Sequence, residues 1–188
     1  VNVSGSVINN LGGSVLGAVV DVYRDGVLIN TTSGGNYSYS FAESSLGAHV
    51  ISVNVSKVNY TNYSVSTSYN VSGLLNGTTV VTNASSYLIG SAVNVSGSVI
   101  NNLGGSVLGA VVDVYRDGVL INSTAGGLYA YSFIESSVGG HSITVNVSKV
   151  NYTNYSVSTS YNVSGLLNGT TVSTNASSYV AGSAVKVS

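Results

Sequence analysis

Asparagine is the residue type whose spacing points most directly to chemistry. Seventeen of the 21 asparagines stand in Asn-x-Ser/Thr triplets: Asn2, Asn30, Asn36, Asn54, Asn59, Asn62, Asn70, Asn76, Asn83, Asn94, Asn122, Asn146, Asn151, Asn154, Asn162, Asn168 and Asn175. In a secreted chain this triplet accepts N-linked glycan. The plain alternative is strand alternation. Residues two apart share a face, so Asn-Val-Ser also arises wherever an outward face is rich in both residues. With half of the outward positions Ser or Thr, alternation alone yields roughly ten triplets. Seventeen exceeds that, and covalent glycans are expected. Asn59 and Asn62 lie on opposite parities, so both are accessible only if the chain bends between them.

Other reactive groups are few. His49 and His141 follow a glycine by two positions and read as structural or surface residues. Asp21 with Asp25, and Asp113 with Asp117, supply two carboxylates four apart. A calcium loop needs denser oxygen spacing, so no cofactor is expected and calcium is a weak alternative. Arg24 is expected to pair with a neighbouring acid. Lys57 and Lys149 continue the inward parity of Ile51-Val53-Val55 and Ile143-Val145-Val147. One reading is a Lys–Asn isopeptide bond assisted by Glu43 or Glu135. The plainer reading, and the expected one, is an amine that reaches water from a strand tip. Paired catalytic carboxylates, a nucleophile elbow and a phosphate loop cannot be assembled from two His and six acids, so no enzyme is expected.

Composition narrows the classes further. Only 6% of the 188 residues are charged, against about 25% in an average soluble domain. The net charge of −1 gives no electrostatic footprint for nucleic acid. Without cysteine there is neither disulfide nor thiolate metal site. A mean hydropathy of +0.36 and 44% apolar residues suffice for a core. No apolar run approaches the ~18 residues of a membrane helix, so no membrane span is expected in this segment. Hydroxyls, amides and sugar in place of ions would make the surface indifferent to salt and pH.

The elements that position these groups recur. Val1-Asn2-Val3-Ser4-Gly5-Ser6-Val7 returns at Val93, a period of 92, and Val185 begins it a third time. Residues 1–92 and 93–184 differ at 12 positions. We expect one repeat in 1–92, a second in 93–184, and the first strand of a third in 185–188, with the true boundary near 87 and 179. The chain reads as an excerpt of a longer array. Alternation is β throughout: Tyr37, Tyr39 and Phe41 share a face, as do Tyr63, Val65, Thr67 and Tyr69, and Ala18, Val20 and Val22. Asp25-Gly26 is a hairpin signal. About seven strands in 92 residues predict an all-β chain of tandem β-sandwich domains. Most of the tyrosines share parity with core residues; Tyr60 and Tyr87 are freer. Six of the differences between copies (Asn36/Leu128, Ser38/Ala130, Ala42/Ile134, Val50/Ser142, Ser52/Thr144 and Val81/Ser173) fall on the predicted solvent face.

From Tyr87 the chain reads Tyr-x-x-Gly90-x-x-Val93-x-Val95-x-Gly97-x-Val99, then Gly104, Gly109-Ala110-x-Val112-x-Val114, Gly127-x-Tyr129 and Gly139. This resembles the immunoglobulin-like modules of bacterial and archaeal surface proteins, including macroglobulin-type and carboxypeptidase-regulatory-like domains. The resemblance covers Tyr87 to Val147. The chain departs from it in lacking the proline that usually follows the leading tyrosine, and in its low charge. It implies an immunoglobulin-like sandwich that acts mostly as a spacer. The expected role is therefore structural: an extracellular, N-glycosylated stalk, sheath or filament on a cell surface, archaeal by the density of sequons, whose partners are copies of itself. An adhesin or carbohydrate-binding array is the alternative. A strand offered to an open sheet edge of the next subunit is a variant of the first.

Overall fold

A computed structural model describes residues 1–169 and 171–188. Every regular element among them is a strand, as the period-two patterning requires. In the first part, β1 (Asn2–Ser6) pairs antiparallel with β4 (Asn36–Ser40). Facing them is a four-stranded antiparallel sheet. Its members are β2 (Val19–Arg24), β3 (Val27–Ser33), β5 (Gly47–Ser56) and β6 (Tyr63–Val71), in the order β3-β2-β5-β6. Val20, Val22, Ile51 and Val53 point from the larger sheet into one core, and Val3, Tyr37 and Phe41 meet them from the smaller. Two antiparallel sheets packed on a shared apolar layer make a β-sandwich.

Short strands open the next part: β7 (Gly73–Leu74), β8 (Val81–Thr82) and β9 (Ser86–Leu88). The longer ones are β10 (Ala92–Ser98), β11 (Val111–Arg116), β12 (Val119–Ala125), β13 (Leu128–Ile134), β14 (Gly139–Ser148) and β16 (Tyr155–Ser164). Between the last two lies β15 (Tyr152–Thr153), which pairs with β7. The sheets run β13-β10-β8 and β12-β11-β14-β16-β9. Each therefore repeats a sheet of the first sandwich and adds one strand from residues 73–92. The second core holds Val93, Val95, Val112, Val114, Ile143 and Val145, together with Leu75 and Tyr87 from the added segment.

Sheet membership thus runs out of phase with the sequence period. Residues 73–92 lie at the end of the first sequence copy, yet they build on 93–164. The reason is packing: Leu75 and Tyr87 find a core only there. The counterpart of this segment, starting at Gly165, matches it at 17 of 20 positions.

The turns have local causes. Asp25 and Gly26 both take positive φ, 49° and 81°, as a tight two-residue hairpin between β2 and β3 requires. Oδ1 of Asn9 accepts from the amides of Leu11 and Gly13 and closes the Asn10–Gly13 turn, and Asn101 repeats this in the second copy. These two asparagines lie outside the sequons, and their side chains have a conformational task.

Candidate functional site

The sequon asparagines are spread over both sandwiches and the C-terminal segment. Fifteen of the 17 are exposed; Asn30 and Asn122 are half-buried, and none is buried. The chain does bend between Asn59 and Asn62: Val58 and Asn59 form a turn and Asn59 takes a φ of 66°. Both side chains are therefore accessible. Asn83 and Asn175 are exposed but engaged. Oδ1 of Asn83 accepts from the Tyr87 hydroxyl at 2.7 Å and from the Asn94 amide at 2.8 Å, which leaves Nδ2, the atom a glycan would join.

A polar cluster stands at one end of each core, where the inward parity of β2 ends on Arg24 and that of β5 begins on His49. Glu43 enters from the loop after β4. Its carboxylate accepts from Arg24 Nη2 and from the Tyr69 hydroxyl, both at 2.9 Å, and from the amides of Ser44 and Ser45. His49 Nδ1 lies 2.8 Å from Asp25 Oδ2. The second copy is tighter: Arg116 Nη2 donates to Glu135 at 2.7 Å and the Tyr161 hydroxyl does so at 2.7 Å. Glu135 is fully buried. The sequence expectation that Arg24 pairs with an acid holds, but the principal acid is Glu43, with Asp25 at 3.7 Å. The histidines, read from the sequence as structural or surface residues, each have a carboxylate beside them. The β2–β3 turn brings Asp25 and Asp117 onto them.

These contacts set the titration. Burial alone would raise Glu135, but the Tyr161 hydroxyl, the Ser137 amide and Arg116 hold it down at about 2. Glu43 is also lowered, chiefly by the Ser45 amide and against burial. His49 is raised by Asp25 and by the Ser45 carbonyl. Carboxylates held low in the folded state contribute stability above their unfolded range and lose it as pH falls toward the folded value. The melting temperature is therefore expected to hold from pH 7 to about 5 and then to fall progressively toward pH 2, followed by far-UV circular dichroism. Near-constancy down to pH 2 would contradict the cluster. The broad indifference to pH expected from the sparse charge thus has an exception in acid.

The remaining candidates have other partners. Lys57 Nζ donates to the Leu16 carbonyl and lies 5.7 Å from the Tyr60 ring centroid, while Glu43 is taken by Arg24 and Tyr69. Lys149 and Glu135 are likewise divided between the Leu108 carbonyl and Arg116. The structure does not bring the isopeptide candidates together. Asp21 and Asp113 accept from Thr31 and Ser123, away from the histidine–aspartate pairs. Among the described residues no group of three or more potential metal-ligating side chains converges.

The two sandwiches differ most where residues 73–92 lie. On the second sandwich, β8 pairs with β10 (Val95 opposite Thr82) and β9 runs parallel beside β16 (Val163 opposite Tyr87). On the first, β1 and β6 have no such neighbour among the described residues. Val1 is 42% exposed where its counterpart Val93 is 0%, and Tyr63, 68% exposed, corresponds to a half-buried Tyr155. The inward parity expected of Tyr63, Val65 and Thr67 is seen in the second copy, where Tyr155, Val157 and Thr159 are half-buried, but in the first copy all three are exposed. Gly97 shows how close the cover lies: a Cβ there would strike the Thr79 carbonyl and the Tyr129 hydroxyl. Tyr129 donates to that carbonyl at 2.5 Å. Its counterpart Tyr37 has no such partner among the described residues. Sequence reasoning missed that residues 73–92 lie on the second sandwich. A signal for it was present, because the best-resembling stretch starts before the period does.

No protein-family model matches the chain, and no curated protein matches it. Among solved structures, the fibronectin(III)-like modules of CbhA from Clostridium thermocellum align with 17% identity over 88% of this chain and 85% of theirs, with a TM-score of 0.39. Murine CEACAM1b aligns with 12% identity over 88% and 92%, with a TM-score of 0.44. Invasin, a bacterial integrin-binding protein, aligns with 18% identity over 87% of this chain but 35% of its own, with a TM-score of 0.39. The chain thus spans about a third of the length of invasin. The architecture itself is given by the coordinates: all-β sheets packed as sandwiches, with the inward faces that the alternation marked.

Proposed function

We propose that the chain is a structural segment of an N-glycosylated extracellular array, a stalk, sheath or filament of a cell surface, with no catalytic role. The observation that supports this reading best is the surface. It carries almost no charge, yet each sequon asparagine is exposed or half-buried, so solvation falls to amides, hydroxyls and sugar. In this reading the structural unit is the sandwich completed by its own leading segment, 73–164, and the array multiplies that unit to set reach. Dense sequons and a cysteine-free β array together favour an archaeal surface. Glycopeptide mass mapping of the native protein tests the proposal. Glycan is expected on several of the 17 asparagines, and unmodified asparagine at all of them would overturn it.

An adhesive, sugar-binding role has one observation in its favour, the exposed rings of Tyr60 and Tyr63. The counterparts of these rings, Tyr152 and Tyr155, are half-buried, so the exposure belongs to the uncovered edge of the first sandwich rather than to a repeated platform. A glycan-array screen with no hits would remove this second reading.

A further inference from the structure

We propose that sugar on Asn30 and Asn122 guards the free edge strands of the two sandwiches against pairing with a second copy of this chain. The proposal rests on the reading that the chain carries N-linked glycan, and it states what two of those glycans do. Among the described residues β3 and β12 are paired on one side only, by β2 and β11. β12 keeps this position even though residues 73–92 have been added to its sandwich, because they join at β10 and β16. An edge strand presents a row of unpaired amides and carbonyls, a template for another strand.

Proteins blunt such an edge with lysine, proline, a bulge or a charge that points inward. Val27–Ser33 and Val119–Ala125 hold no charged residue, and the whole chain lacks proline. Val27, Leu28, Val119 and Leu120 are exposed, which adds apolar surface to the free backbone. A bulge is present in each copy, but it lies at the hairpin end, by Tyr23 and Tyr115. Beyond it Asn30–Ser33 and Asn122–Ala125 run in regular register. Each of these stretches begins with a sequon asparagine. The sequon persists although Thr31 and Ser33 are replaced by Ser123 and Ala125 in the second copy.

These two asparagines differ from the other sequon asparagines in being half-buried rather than exposed. Asn30 lies opposite Val22 and Asn122 opposite Val114, both core residues, and cross-strand partners share a face. An outward face rich in Asn and Ser therefore does not account for them. At a sheet edge, inward parity aims a side chain across the gap toward the facing sheet. β13 is an end strand of that sheet and follows β12 after Gly126 and Gly127, so both free edges lie on one flank. The linkage joins Nδ2 to the anomeric carbon of a phosphate-activated sugar donor, with loss of an amide proton and of the phosphate leaving group. The glycan then fills the space that an incoming strand needs beside β12 and overhangs β13.

The test compares the full chain secreted by a glycosylating host with two variants that lose the same two sequons. Asn30→Gln/Asn122→Gln leaves the edges bare, whereas Asn30→Lys/Asn122→Lys replaces the sugar with an inward charge. Light scattering over a concentration series is expected to find the parent and the Lys variant monomeric, and the Gln variant at the mass of a dimer or above. A Gln variant with the parent's mass throughout, or a Lys variant that associates as the Gln variant does, would overturn the proposal. Adding Leu28→Lys/Leu120→Lys to the Gln variant is expected to restore the monomer without restoring sugar. Continued association there would point to misfolding and also overturn the proposal. Glycopeptide mapping of the parent separates the two readings. Sugar elsewhere with Asn30 and Asn122 bare removes the guard and leaves the array reading standing, while bare asparagine at every sequon removes both.

Discussion

Leu75→Ala is expected to lower the stability of the second sandwich by about 2–5 kcal/mol, while Leu167→Ala leaves unfolding of the dilute chain unchanged. Both leucines sit in the same hexapeptide, Gly-Leu-Leu-Asn-Gly-Thr. Leu75 lies in the core with Val93, Val112 and Ile143, whereas Leu167 touches no core. The cost of truncation combines lost transfer from water with the cavity left behind, and neither term exists at an exposed position. Urea denaturation followed by far-UV circular dichroism reads the difference as a shift in midpoint. Equal effects at the two sites would show that residues 73–92 do not belong to the sandwich that follows them.

Glu135→Ala is the second large effect, a loss of about 2–4 kcal/mol. The carboxylate accepts from Arg116, Tyr161, Ser136 and Ser137, and its removal leaves a partly buried guanidinium without its ion-pair partner. Arg116 keeps about a quarter of its surface in water, which holds the cost below that of a wholly buried pair broken on one side. The variant is also expected to flatten the decline in melting temperature below pH 5, since the group that loses its partners on protonation is gone. A variant that melts like the parent across pH 7 to 2 would remove the cluster from any account of stability. The same substitution at Glu43 acts in the same direction.

Strand parity was legible in the sequence because burial writes itself at period two. Val20 and Val22 on β2, and Ile51 and Val53 on β5, face the core as the alternation required, and Asp25-Gly26 makes the hairpin its composition announced. The polar clusters were not legible in the same way. Arg24 is 19 residues from Glu43 and 25 from His49; the pairing of β2 with β5 brings His49 to it, and the loop after β4 brings Glu43. Extending the inward parity would have pointed to them: Arg24 follows Val22 by two and His49 precedes Ile51 by two. The phase of the sandwich was hinted at by the resemblance that starts at Tyr87, but not by the period itself. A period can be read from any starting residue, so self-similarity measures the length of the unit and says nothing about where packing cuts it. Tyr63 and Val65 carry the same ambiguity. Their parity marks them for a core, but whether they are covered depends on a segment that precedes the sandwich in sequence.

The parallel pairing of β9 with β16 has a mechanical consequence. One strand lies near the entry of the second sandwich and the other ends at its exit, with Ser164 opposite Leu88. Tension applied along the chain pulls these two neighbours in opposite directions along their common axis. Their hydrogen bonds are then strained together, in shear, rather than opened one after another as at the end of a peeled hairpin. A sandwich closed in this way resists stretching at the seam where its first strands grip its last.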